Sequence, residues 1–244
     1  MYPRSDKLVD IWRNIYYSCG GGHISIVGGE PLIYPEFGKV VREISQMFSI
    51  GIVTNLAGDI ADLLRETSPS RVAITPTFHP GFADFDEFLV RAVQLKENGR
   101  GSAVLYVAYP EQINCIPEYG ERFKKHGLEL QVFSFWGEFQ GKTYPASYTQ
   151  EEKTIIGPYL GERAGKKFQL VPSKVKGKLC RAGQRYAVVK ANGDVAACGG
   201  DWPRMLGNIF AGTFKLQDQP LPCQSGFCPC NEWAYLLLPD DATN

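Results

Sequence analysis

The sequence predicts an α/β fold built from repeated strand–helix units, with a small cysteine-rich domain at the end of the chain. Short apolar runs begin near residues 23, 49, 71, 101 and 128, which gives 22 to 30 residues for each unit. That length suits a strand, a crossover helix and a return to a parallel sheet. The chain ends differently, because five of its seven cysteines follow residue 179.

Composition narrows the class of protein. Lysine plus arginine equals aspartate plus glutamate, 26 of each, so no overall field attracts nucleic acid or an anionic membrane. No apolar run reaches the roughly 18 residues that a membrane span needs, and no secretory leader is recognised at the start. An odd number of cysteines argues against a fully paired disulfide framework. We therefore expect a cytoplasmic protein, in a reducing compartment, that binds neither membranes nor nucleic acid.

The first predicted strand ends in an unusual turn. The apolar residues Ile24 and Ile26 are followed closely by Gly28-Gly29-Glu30-Pro31. Glycine permits a sharp turn or a close approach to a ligand, and proline prevents the strand from continuing. Glu30 is therefore expected near the carboxyl end of a strand, the edge at which parallel α/β folds keep their sites.

The predicted helices have recognisable start and stop signals. Ser5 is expected to cap the first helix, and Pro35 to begin the second. Asp84 and Glu87 form a capping-box pattern for a later helix, which Gly99 should end. No Gly-x-Gly-x-x-Gly opens a helix, yet the residues alone leave a Rossmann sheet, a partial barrel and a full barrel all open.

The cysteine-rich segment contains a predicted β-hairpin. Asn192-Gly193 is a strong hairpin signal between two apolar runs, so Cys180 and Cys198 at its ends are expected to meet. Three more cysteines follow: Cys223, Cys228 and Cys230. Four converging thiolates can hold tetrahedral zinc or an iron–sulfur cluster. No paired Cys-x2-Cys unit occurs, and disulfides are a further alternative.

Two separated patterns resemble one family. Gly28-Gly29-Glu30-Pro31, followed by Thr54-Asn55, resembles the radical SAM superfamily, and the hairpin with Leu206-Gly207-Asn208-Ile209 resembles its SPASM or Twitch extension. The resemblance implies a partial (β/α) barrel that lacks its first strand, over residues 1–165. It also implies a small auxiliary cluster-binding domain, with a β-hairpin, over residues 166–244.

The resemblance implies two cofactors and their binding residues. Gly28, Gly29 and Glu30 match the turn that holds the amino end of S-adenosylmethionine, and Asn55 would face the same pocket. An auxiliary 4Fe–4S cluster would take Cys180, Cys198 and two of the three later cysteines, Cys223, Cys228 and Cys230. Carbonyls and a carboxylate are suitable acceptors for an ammonium group.

The implied activity belongs to a longer parent enzyme. Such an enzyme would use a 5′-deoxyadenosyl radical to modify a peptide or small metabolite, with a ferredoxin or flavodoxin as reductant. The family's Cys-x3-Cys-x2-Cys motif does not precede Gly28, because only Cys19 lies upstream. We expect a fragment that begins at an internal methionine. The alternatives are a degenerate family member, a non-catalytic iron–sulfur protein for electron transfer or peptide binding, and a zinc-stapled α/β domain.

Overall fold

A computed structural model describes residues 4–163, 166–167, 170, 173–200, 203–228 and 236–239. The chain divides into two compact units. The first unit comprises Met1–Phe133 and Gln150–Tyr159, and the second comprises Ser134–Thr149 and Leu160–Asn244.

The first unit is organised around a five-stranded sheet in which the strands lie in sequence order. The strands are β1 (His23–Ile26), β2 (Ser49–Thr54), β3 (Val72–Phe78), β4 (Ala103–Ala108) and β5 (Glu129–Ser134). The pairs β1–β2, β2–β3 and β3–β4 are parallel, as the spacing of the apolar runs predicted. Parallel pairing brings the carboxyl ends of these strands to one edge of the sheet.

Of the six α-helices among the described residues, the first precedes β1, the next four lie in the connections between the strands of this sheet, and the last follows β5. They are α1 (Ser5–Cys19), α2 (Phe37–Ser45), α3 (Ala61–Glu66), α4 (Phe85–Glu97), α5 (Ile116–Lys124) and α6 (Gln150–Ile156). Helix α2 packs on β2, and α4 packs on β3. In β2 the side chains of Ile50 and Ile52 are fully buried, whereas Ser49 and Gly51 on the other face stay half-exposed. Helices therefore cover one face of this strand. No helix within the described ranges is both long enough and apolar enough to cross a bilayer.

The helix ends match the sequence in part. Asp84 caps α4 by accepting hydrogen bonds from two backbone N–H groups, and Gly99 follows its end with a φ of 70°. The prediction for Ser5 was wrong, because Ser5 lies inside α1 and its hydroxyl contacts the Glu36 carboxylate. The prediction for Pro35 was also wrong, because α2 begins at Phe37. A short 3-10 helix at Pro31–Ile33 precedes it. Proline suits that first turn because it lacks an N–H to satisfy.

The second unit consists of short strands and connecting loops. Its strands are β6 (Gly137–Phe139), β7 (Lys142–Tyr144), β8 (Glu162–Arg163), β9 (Lys166–Lys167), β10 (Ser173–Lys174), β11 (Leu179–Cys180), β12 (Val188–Val189), β13 (Asp194–Ala196), β14 (Met205–Asn208), β15 (Leu221–Pro222) and β16 (Phe227–Cys228). The predicted hairpin is confirmed: β12 and β13 pair antiparallel across Asn192-Gly193, and β14 adds a third strand. Gly193 adopts a φ of 86°, which glycine alone reaches without strain.

Candidate functional site

The turn after β1 is open on its glycine side. Gly28 and Gly29 have φ values of 86° and 57°, and a Cβ built on either residue would meet no atom within 4 Å. Within the described residues, no group donates a hydrogen bond to the carbonyl oxygen of Gly28 or Gly29. The turn therefore presents two unused acceptors beside empty space, at the edge where the strands end.

The carboxylate of Glu30 joins the ends of β1 and β2. Its Oε1 accepts hydrogen bonds from the backbone N–H of Leu32 at 3.0 Å and from the hydroxyl of Thr54 at 2.6 Å. Its Oε2 accepts from the backbone N–H of Asn55 at 2.8 Å. A carboxylate offers about four acceptor directions, so roughly one direction, on Oε2, stays available for a ligand. Glu30 thus lies where the sequence predicted and also fastens the loop beside it.

The loop after β2 is held in a strained but well-supported shape. Leu56 is 2% exposed and adopts a φ of 62°, an uncommon conformation for a residue with a side chain. The guanidinium of Arg91, on α4, donates hydrogen bonds to the carbonyl oxygens of Leu56 and Gly58. The side chain of Asn55 accepts a hydrogen bond from Ala57 at 2.8 Å. Nothing in the sequence around Arg91 indicated this supporting role.

The end of β3 places two further polar groups at the same edge. Thr77 is 9% exposed, and its hydroxyl has no hydrogen-bond partner within the described residues. His79 follows the strand and is half-buried. Burial lowers the pKa of its imidazole below the usual 6.5, so His79 is neutral in the folded protein at physiological pH.

Three of the predicted cysteine ligands come close together in the second unit. Cys180 ends β11, which pairs with β15 and so lies beside the loop that carries Cys223. Burial raises the pKa of the Cys180 thiol, and the thiols of Cys223 and Cys198 raise it further. That these thiols meet to hold a metal or a cluster stays a prediction.

The surroundings of these thiols supply donors and a cation. Backbone N–H groups of Ala182 and Gly200 lie 3.4 Å from the sulfur atoms of Cys180 and Cys198, respectively. Arg204 donates to the carbonyl oxygens of Ala182 and Pro222, and its charge offsets a small part of the rise that burial causes in the pKa of Cys180. N–H donors and a positive charge both favour thiolates, which are the form that binds metals. Sequence reasoning missed Arg204 because its partners lie in distant loops.

In the Leu206-Gly207-Asn208-Ile209 segment, the side chain of Asn208 stabilises the hairpin turn. The side-chain oxygen of Asn208 accepts hydrogen bonds from the N–H groups of Phe210 and Ala211. Its NH₂ group donates to Asp194 at 2.9 Å and to the carbonyl oxygen of Asn192 at 3.2 Å. Asn208 therefore locks the hairpin turn onto β14.

Three of the other four cysteines lie within the described residues. Cys228 lies in β16, which pairs with β10, and Cys230 lies outside the described residues. Across the ranges that the structure describes, no three histidine, cysteine or carboxylate side chains are arranged to hold a metal ion. In the first unit, Cys19 is exposed and Cys115 is half-buried.

Comparison with known proteins identifies the fold through structure alone. No protein-family model and no curated protein sequence matches the chain. A solved structure of anSMEcpe with bound AdoMet matches with a TM-score of 0.59 and 17% identity, covering 86% of this chain and 70% of that one. A structure of the same protein with AdoMet and the Cp18Cys peptide gives a TM-score of 0.60 over similar shares.

A second protein gives the same result. SuiB from Streptococcus suis matches with a TM-score of 0.57 and 14% identity. The match covers 86% of this chain but only 57% of SuiB, so the chain spans less than two-thirds of that protein. At these identities the likeness concerns the fold. The chain therefore shares its fold with anSMEcpe and SuiB, and the resemblance stated from its motifs is confirmed at the level of the fold.

Proposed function

We propose that this chain is the core of a peptide-modifying radical SAM enzyme with an auxiliary iron–sulfur cluster. Residues 1–165 form the part that binds S-adenosylmethionine, and residues 166–244 form the cluster-binding part. The observation that carries the proposal is the shared fold with anSMEcpe, whose structures hold AdoMet and peptides. The substrate proposed here is accordingly a peptide.

The turn after β1 fits the amino end of S-adenosylmethionine. The unused carbonyl oxygens of Gly28 and Gly29 can accept hydrogen bonds from an ammonium group, and Glu30 adds a negative charge beside them. Because the Glu30 carboxylate is held by three donors, it is fixed in place before any ligand arrives. In a longer parent enzyme that has the Cys-x3-Cys-x2-Cys motif, bound S-adenosylmethionine would supply the 5′-deoxyadenosyl radical that modifies the substrate.

The donor set in the second unit fits an iron–sulfur cluster better than zinc. Zinc is a single ion that draws four thiolates tightly together, whereas a cubane cluster is bulkier and keeps them farther apart. The thiols of Cys198 and Cys223 lie near enough to Cys180 to raise its pKa, after the larger effect of burial, and no single-ion site is formed among the described residues. We assign these three as ligands of a 4Fe–4S cluster, with the fourth ligand from Cys228 or Cys230.

A pair of cysteine variants tests the cluster. Cys198→Ala removes a thiol at the end of the hairpin, so this variant should lose most of the iron and sulfide that the wild-type chain takes up without oxygen. Cys19→Ala is the matched control, because Cys19 is exposed in the other unit and should not affect uptake. Full iron and sulfide content in the Cys198→Ala protein would refute the assignment.

A further inference from the structure

Arg91 is a cation of the first unit whose partners are backbone carbonyl groups. Its side chain is half-buried on α4, and its Nη1 atom donates to the carbonyl oxygens of Leu56 and Gly58. Within the described parts of the chain it forms no ion pair, whereas Arg122 on α5 pairs with Asp86. Hydrogen bonds from a charged donor are stronger than neutral ones, so Arg91 holds the loop after β2 firmly.

That loop needs support because part of its backbone is strained. Leu56 has a φ of 62°, in the left-handed region that residues with a side chain seldom adopt. Such a conformation persists only where the surrounding contacts impose it. The side chain of Leu56 is buried, and Arg91 holds the carbonyl oxygen of the same residue. Arg91 therefore supplies one of the contacts that keep Leu56 in this conformation.

The conformation of Leu56 is connected to Glu30 through one hydroxyl group. The N–H of Leu56 donates to the hydroxyl of Thr54 at 3.0 Å, and that hydroxyl donates to Oε1 of Glu30 at 2.6 Å. An N–H group can only donate and a carboxylate oxygen can only accept, so the hydroxyl of Thr54 must donate toward Glu30. If Leu56 moved, the hydroxyl of Thr54 would lose the donor that fixes its direction.

The same loop contacts the segment that follows Glu30. A Cβ built on Gly58 would lie only 2.4 Å from the Cβ of Leu32, so the two segments pack closely. The N–H of Leu32 donates to the Glu30 carboxylate at 3.0 Å, and the N–H of Asn55, in the loop itself, donates at 2.8 Å. Each donor to this carboxylate therefore belongs to, or contacts, the loop that Arg91 holds.

We propose that Arg91 is a positioning residue, which fixes the carboxylate of Glu30 for an ammonium-bearing ligand by holding the loop after β2. This inference rests on the proposed function, because S-adenosylmethionine is the ligand whose ammonium group would meet that carboxylate. Arg91 acts through the loop rather than on the ligand itself. A carboxylate that is already held in one orientation binds without the cost of ordering it. If Arg91 only anchored α4, its loss would lower stability without a selective loss of affinity.

Three variants test this role. Arg91→Met keeps the apolar stem and removes both hydrogen bonds. Arg91→Lys should restore them in part, because both come from a single nitrogen that an ammonium group can replace. Arg71→Met is the matched control. Arg71 also donates to a backbone carbonyl, that of Ser45 at 2.9 Å, but it lies before β3 at the opposite edge of the sheet.

Two measurements are made on each variant. Equilibrium dialysis gives the affinity for S-adenosylmethionine, and we expect Arg91→Met to weaken it about tenfold and the other two variants less than about threefold. Hydrogen–deuterium exchange by NMR, without ligand, follows the amides of Asn55 and Ile52. In Arg91→Met the Asn55 amide should exchange at least about tenfold faster, while the Ile52 amide in β2 should change less than about threefold.

Two results would overturn the proposal. One is equal affinity of Arg91→Met and Arg71→Met for S-adenosylmethionine. The other is an Asn55 amide whose exchange is unchanged in Arg91→Met, or accelerated only as much as that of Ile52, as a general loss of stability would produce. Arg91→Gln, whose side chain is shorter, replaces Arg91→Met if that protein does not fold. Wild-type protein that binds no S-adenosylmethionine would contradict the proposed function, whereas the exchange of the Asn55 amide would still test Arg91.

Discussion

At the scale of single residues, Glu30 shows how one side chain can serve both the fold and a ligand. The sequence placed it at the carboxyl edge of the sheet, and the structure confirms that position. Its bonds to Thr54 and Asn55 could not be predicted, because those partners lie 24 and 25 residues away. Only the parallel pairing of β1 with β2 brings them together.

Replacing Glu30 by glutamine should therefore have two effects. The amide NH₂ cannot accept from the exposed N–H of Asn55, so that hydrogen bond is lost at a cost of about 0.5–1.5 kcal/mol. The loss of charge should also weaken the binding of S-adenosylmethionine. Urea denaturation and equilibrium dialysis measure the two effects. Glu111→Gln, at an exposed position, is the control, and unchanged stability and affinity in Glu30→Gln would contradict both roles.

His79 should make the stability of the fold depend on pH. Burial lowers the pKa of His79 in the folded state, so the unfolded chain binds a proton more readily. The free energy of unfolding should therefore fall as the pH drops through about 6.5, and it should stop falling once His79 is protonated in both states. His79→Asn should lose less stability than the wild type between pH 7.5 and pH 5, as measured by urea denaturation. Identical losses would show that His79 does not contribute.

At the scale of secondary structure, local signals predicted the elements well. Asn192-Gly193 specified the hairpin because the turn needs a residue that tolerates a positive φ. Asp84 and Gly99 marked the ends of α4 for equally local reasons. The start of α2 was predicted at Pro35, whereas α2 begins at Phe37. The proline that begins a helical turn here is Pro31, in the separate 3-10 helix. Arg91 and Arg204 act through distant carbonyl groups, which no local pattern reveals.

The hairpin lock can be tested with an isosteric change. Asn208→Asp replaces a donor by a second carboxylate facing Asp194, whose pKa is lowered chiefly by its bond to Asn208. We expect the melting temperature to fall by at least roughly 2–4 °C, together with lower iron uptake. Asp194→Asn in the same chain restores a donor–acceptor pair and should recover part of the loss. A double variant no more stable than Asn208→Asp would argue against this contact.

At the scale of the whole molecule, the regular spacing of apolar runs predicted a parallel sheet, and the structure shows its strands in sequence order. Closure of that sheet into a partial barrel, the domain boundaries and the cytoplasmic location stay predictions. The resemblance to the radical SAM superfamily could be recognised from sequence only because two motifs, separated by about 150 residues, indicated the same family. The conformation of neither motif could be derived from its own residues alone. Glu30 is held by Thr54 and Asn55, and Asn208 is held by Asn192 and Asp194.

The chain contains no Cys-x3-Cys-x2-Cys motif, which leads to a prediction about its chemistry. Without those thiolates it has no cluster at which S-adenosylmethionine could be reduced. Dithionite and S-adenosylmethionine should therefore yield no 5′-deoxyadenosine above a control without protein. Chromatography of the reaction mixture measures the product, and clear formation of 5′-deoxyadenosine would show that other residues hold a catalytic cluster.

The central claim is that the converging cysteines hold one cubane cluster within a radical SAM fold. Mössbauer spectroscopy of the chain, reconstituted with ⁵⁷Fe and sulfide in the absence of oxygen, tests it most directly. The account predicts about four irons per chain with the spectrum of a 4Fe–4S cluster, because a cubane takes four cysteine ligands. Purified protein that carries about one zinc per chain, and takes up no iron or sulfide, would contradict it.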